Sequence, residues 1–147
     1  MPSREQVMAV FLEWVAKAEN DLKTAAFTLK LGAECPTDTV CFHAQQCVEK
    51  FLKAVLVREG VAFPKSHNIA QIVALLPSRL WVVLTADEQD RLTEYATVTR
   101  YPGDYEPISL AEAKRTVAIA RRVRKEILAE YPIQSRDRKG ALKKERK

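Results

Sequence analysis

Residues Thr37–Gly60, TDTVCFHAQQCVEKFLKAVLVREG, bring Val40, Ala44, Val48, Phe51, Leu52, Val55 and Leu56 back at three- and four-residue steps. That is the repeat of one face of an α-helix, and no alternation at period two competes with it. The pattern predicts a helix from Thr37 to Glu59. Gly60 stops it, because glycine reaches the left-handed conformation that closes a helix at little cost.

The same period extends in both directions from this helix. Upstream, Val7, Phe11, Trp14, Ala18, Leu22, Ala25 and Leu29 draw one apolar stripe over residues 3–31, with Ser3 and Gln6 spaced as a capping box. Downstream, Ile69 to Leu76 reads as a short apolar helix closed by Pro77. Thr85 with Glu88 opens a helix that runs through Leu92, Tyr95 and Val98 towards Arg100. Ser109 with Glu112 opens the last, which repeats Leu110, Ala113, Val117, Ala120, Val123 and Ile127 as far as about Tyr131. Apart from Gly140 and Pro2 near the termini, the glycines and prolines fall between these segments. The one strand-like run, LWVVLT at 80–85, has nothing to pair with and is expected to be a loop or a helix entry. The predicted fold is all-α, an up-and-down antiparallel four-helix bundle with a short additional helix.

At 147 residues, 47% apolar and 29% charged, the chain is sized for one soluble domain. It contains no apolar run of membrane-spanning length, and its start, MPSREQ, lacks the layout of a signal peptide, so a cytoplasmic protein with no membrane role is expected. Cys35, Cys41 and Cys47 cannot all pair and are read as buried free thiols. Residues 134–147, QSRDRKGALKKERK, hold seven Lys or Arg and two acids, which accounts for the whole formal charge of +5. Residues 1–133 are therefore expected to form the bundle, and 134–147 a disordered basic tail.

Several chemistries are excluded by what is missing. His43 and His67 are the only histidines and stand 24 apart, so no HExxH zinc site exists, and no metal or cofactor is expected. No two glycines lie within 25 residues of each other, which rules out Gly-rich phosphate loops. The polar residues of the central helix are what remains. With His43 at zero and about 100° per residue, Lys50 falls at about −20°, Gln46 at about −60°, Lys53 at about −80° and Glu49 at about −120°. Glu49 and Lys53 alone read as an ion pair on a solvated face. His43, Gln46, Lys50 and Lys53 together offer an imidazole, an amide and two amines, a set that can hold a phosphate or a base edge. Asp21 is expected to pair with a cation or cap a backbone group inside the bundle. Ser66 is a candidate helix N-cap, with His67 helping to close its loop, while Trp14 is expected in the core and Trp81 in the core or a dimer contact.

A second constellation is YATVTRYPGDY, 95–105, where Arg100, Tyr101 and Tyr105 surround a Pro-Gly turn. A guanidinium and two aromatic rings suit a phosphate and a base. The order AENDLKTA (18–25), CFHAQQCVEKFLKAVLVREG (41–60), FPKSHNIAQI (63–72) and YATVTRYPGDY resembles the HEPN domain family over roughly residues 5–130. The resemblance implies a four-helix bundle, a homodimer, and often a small nucleotidyltransferase partner, the two acting as toxin and antitoxin. Some members bind nucleotides, and a ribonuclease branch uses an arginine followed four to six residues later by a histidine. Arg100 matches that arginine, but no histidine follows His67. Arginine stays protonated and cannot shuttle protons, and Tyr105 has an ordinary pKa of about 10.

The expectation is therefore a non-catalytic HEPN protein that binds a nucleotide or nucleic-acid phosphate through His43, Gln46, Lys50, Lys53, Arg100, Tyr101 and Tyr105, beside a nucleotidyltransferase partner. The alternatives are a metal-independent endoribonuclease toxin that uses Arg100 with His43 or Tyr105, and a helical protein-interaction module.

Overall fold

The computed structural model describes residues 1–96, 103 and 106–137. Among the described residues the chain forms α1 (Arg4–Leu29), α2 (Thr37–Arg58), α3 (Ile69–Leu75), α4 (Ala86–Tyr95) and α5 (Leu110–Glu130), with 3-10 turns at Gly32–Glu34 and Ser78–Val83. The described residues contain no strand, and LWVVLT begins inside the second 3-10 turn. Observed helix bounds fall within two residues of those predicted for α1, α2, α3 and α5. The expected continuation of α4 towards Arg100 lies outside the described residues.

Contacts between residues fix the helix directions. Asp21 meets His43 and Lys50, and Met8 meets Arg58, so α1 and α2 run antiparallel. Tyr95 and Glu88 of α4 meet Glu112 and Arg122 of α5, another antiparallel pair. Thr37 bonds Ile108 and Cys41 bonds Thr116, so α2 and α5 point the same way. This is the up-and-down order, with α3 as the short addition.

The caps explain where the helices start and stop. Ser3 with Gln6 and Thr85 with Glu88 form reciprocal capping boxes. Ser109 is only half of one. It accepts from the Glu112 amide, but the Glu112 carboxylate takes the Tyr95 hydroxyl at 2.6 Å instead of reaching back to the cap. At the end of α2 the Val61 amide donates to the Leu56 carbonyl and that of Gly60 to the Val57 carbonyl, with Gly60 at φ +68°. These two bonds make a Schellman stop.

Helix α2 is the hub, touching α1, α3, α4 and α5. The predicted apolar stripes of α2 and of α5 from Ala113 to Ile127 are all buried, as are Cys35, Cys41 and Cys47. Every residue from Phe51 to Leu56 is buried, so this part of α2 has no solvated face at all. Phe51, Leu52 and Leu56 each gain roughly 1.5–3 kcal/mol from leaving water. Two further expectations are corrected. The N-cap of α3 is Asn68, whose carboxamide accepts the Gln71 amide, because Ser66 is taken up with the Asn68 amide and the Gln71 side chain. Trp14 is only half-buried, packed against the core, and of the two places expected for Trp81 the core is excluded, since it is exposed with its indole N–H donating to the Leu76 carbonyl.

Candidate functional site

Asp21 organises the outer part of the α2 cluster. It is buried on α1 and faces α2, where its Oδ1 takes His43 Nδ1 at 2.9 Å and its Oδ2 takes Lys50 Nζ at 2.5 Å. The carboxylate is an acceptor, so Nδ1 carries the proton in that bond and Nε2 faces away from Asp21. Among the described residues nothing hydrogen-bonds Nε2. His43 and Lys50 keep 29% and 25% of their side-chain surface, enough for a ligand to reach them. Cys47 lies beneath. Burial pushes its thiol far above the usual range, and the Asp21 and Glu19 carboxylates add to the rise while Arg124 and Lys50 oppose it. Arg124 of α5 pairs with Glu19 of α1, so charged pairs on both sides of Cys47 knit three helices.

The inner part of the cluster is a hydrogen-bonded chain. Gln46 Nε2 donates to Gln45 Oε1 at 2.7 Å, and Gln45 Nε2 donates to Glu49 Oε1 at 2.9 Å. Glu49 Oε1 also takes His67 Nδ1, and Oε2 takes Lys53 Nζ, both at 2.9 Å. Lys53 Nζ stands 5.9 Å from the Trp14 ring centre and 5.8 Å from that of Phe63, and the two rings meet edge to face. The expectation of a solvated Glu49–Lys53 pair is therefore wrong, since both side chains are buried. The loop carrying Phe63 and His67 closes over them. His67 does hold that loop to the bundle, as expected, through Glu49.

Of the predicted site residues, His43 and Lys50 share Asp21, and Gln46 and Lys53 share the Gln45–Glu49 chain. Arg100, Tyr101 and Tyr105 lie outside the described residues. Gln45 and Glu49 are the members that sequence reasoning underrated. Gln45 falls between Leu52 and Leu56 around α2, inside the apolar stripe towards its rim, and is fully buried, and a lone amide in such a stripe marks a buried partner.

Comparison with known proteins follows the same architecture. The HEPN domain family profile matches residues 11–131, most of the chain. A protein of Methanocaldococcus jannaschii named "Putative toxin MJ1304" is 30% identical over 100 residues, 63% of each chain, so the match spans less than two thirds of that relative. Among solved structures, ST0689, described as an archaeal HEPN homologue, superposes with a TM-score of 0.64 at 24% identity, over 82% of this chain and 96% of its own. TT1696 of Thermus thermophilus gives 0.65 at 26% identity, over 80% and 94%. No described helix is long and apolar enough to cross a membrane. With a helix order, a capped bundle and a family profile in agreement over most of its length, this chain belongs to the HEPN domain family.

Proposed function

We propose that this HEPN protein binds the phosphate of a nucleotide or nucleic-acid end at the exposed edge of α2 and does not itself cleave it. In this reading it acts as a cytoplasmic homodimer in a toxin–antitoxin-like pair whose other member is a minimal nucleotidyltransferase. The observation that carries the binding site is the Asp21-held His43 beside Lys50, with no hydrogen bond to Nε2 from any of the described residues. The name of the Methanocaldococcus relative supports the toxin-like setting.

Charge assigns the roles. Asp21 neutralises Lys50, so the net attraction for phosphate has to come from Arg100. His43, as the imidazolium with Nδ1–H still on Asp21, donates from Nε2, Gln46 donates from its carboxamide N–H, and Tyr101 and Tyr105 supply faces for a base. Lys53 acts from below by holding Glu49 and its amide chain.

Isothermal titration with ATP, GTP and a short RNA at low salt tests this. Arg100→Ala and His43→Ala should each weaken binding about tenfold or more, the worth of one charge-assisted hydrogen bond. Unchanged affinity in both variants rejects the site. Co-expression with a nucleotidyltransferase, followed by co-purification, tests the partner.

The same dyad favours one second reading. A histidine oriented by a carboxylate is the arrangement of a general base, so His43 could take a proton from a ribose 2′-hydroxyl while Arg100 stabilises phosphate charge. Metal-free RNA cleavage that His43→Ala abolishes would select this reading over simple binding.

A further inference from the structure

Helix α5 carries six Lys or Arg, and they fall into two groups. Arg124 is paired with Glu19, Arg122 bonds Glu88 and the Val83 carbonyl, and Arg115 lines a groove that also contains Asp87, Glu88 and Glu112. The other three, Lys114, Arg121 and Lys125, are exposed. Among the described residues none of them has a carboxylate within 4.0 Å.

Their spacing of seven and four residues places the three within about 40° of arc around the helix. The row is about 16 Å long, over which one strand of a duplex presents roughly five phosphates. Ala111, Ala118 and Ala129, exposed alongside the row, are small, so an extended chain can lie close, while the exposed Arg115, Arg122 and Glu126 each turn about 100° away from the row residue that they follow.

We infer that the Lys114–Arg121–Lys125 row of α5 is a docking surface for the sugar–phosphate backbone of a nucleic acid, read without base contacts. Charge complementarity is the argument, and the surroundings favour this occupant. The exposed large apolar side chains, Phe27, Leu31, Trp81 and Val82 among them, lie on other elements, so α5 has no anchor to insert into a lipid surface. It equally lacks the aromatic or aliphatic anchors around which protein interfaces form. Summing charge over residues 1–133 hides the row, because acids elsewhere, four of them on α4, cancel it. The row is carried by a different helix from the α2 cluster and needs no contribution from it.

The test is the salt dependence of binding by the full chain to a fluorescent single-stranded RNA of random sequence. Each neutralised phosphate contributes about 0.7 to the slope of log affinity against log salt for single strands. The triple variant Lys114→Gln/Arg121→Gln/Lys125→Gln should lower the slope by about 2. A control that loses the same charge elsewhere, Lys17→Gln/Lys23→Gln/Lys65→Gln, should leave it nearly unchanged. An equal fall in the control overturns the proposal. So does a silent triple variant when removal of residues 138–147 abolishes binding, or row-dependent capture by phosphatidylserine vesicles with no RNA effect. ATP is too short to span the row, so the triple variant should bind ATP as the parent does, while Arg100→Ala should lower the RNA slope by no more than about 0.7; the α5 row and the α2 site can therefore fail separately.

Discussion

Glu49 shows how much one carboxylate can hold. Its two oxygens accept from Gln45, His67 and Lys53, and it lies between the core and the loop that follows α2. Taking charges out of water costs several kcal/mol per ion, and the cost is met only while the partner stays in place. Lys53→Met removes the cation and leaves the carboxylate buried with neutral donors and His67. Stability should fall by about 3 kcal/mol or more. Glu49→Leu/Lys53→Met removes both charges and should recover much of that loss. Urea unfolding midpoints of the two proteins measure the difference, and equal midpoints would place the pair in effective solvent contact. The sequence already held a sign of this burial. Glu49 projects about 20° from Leu56 around α2, at the rim of the apolar stripe and not opposite it.

The coupling of α4 to α5 is a matter of whole elements. Glu88 closes the α4 capping box by accepting the Thr85 amide, and the same oxygen takes Arg122 of α5 at 2.6 Å. Burial acts to raise its pKa, but the Arg122 bond, the Thr85 amide and the guanidinium charge outweigh it and hold the carboxyl below its usual range. A carboxyl depressed in the fold stabilises above its unfolded pKa, and the contribution fades as pH falls through the folded value. The parent should therefore lose stability as acid is added below the ordinary glutamate pKa of about 4.3. Glu88→Gln keeps a capping-box side chain and removes the titration, so its stability should change less over that interval. Thermal midpoints taken from neutral pH down to about 3 compare the two. If the curves stay parallel, the Arg122 link contributes nothing that titrates. Helix starts of this kind were legible in advance because a cap and its partner stand three residues apart. Partners across helices were not, since Arg122 is 34 residues from Glu88 and only the folded bundle brings them together.

At the scale of the whole molecule, α2 separates what could be read from what could not. Its apolar period and glycine stop are local properties, and they fixed its length to within one residue. How thoroughly it is enclosed is set by three other long helices and a loop, so its polar edge looked solvated while Glu49 and Lys53 are buried. The candidate site was legible as a set of side chains on one helix. Asp21, which gives that set its geometry, comes from another helix, and pairing across 22 residues leaves no periodic trace. If α2 is the hub, its central side chains should dominate stability. Phe51 is fully buried, and truncating a core phenylalanine to alanine costs about 3–5 kcal/mol through lost transfer energy and the cavity left behind. Phe27 on α1 is 75% exposed, and Phe27→Ala should change stability by no more than about 0.5 kcal/mol. Denaturant titrations followed by circular dichroism give both values. A small loss at Phe51 would mean that α2 can repack, and a large loss at Phe27 would mean that a partner covers that face in solution.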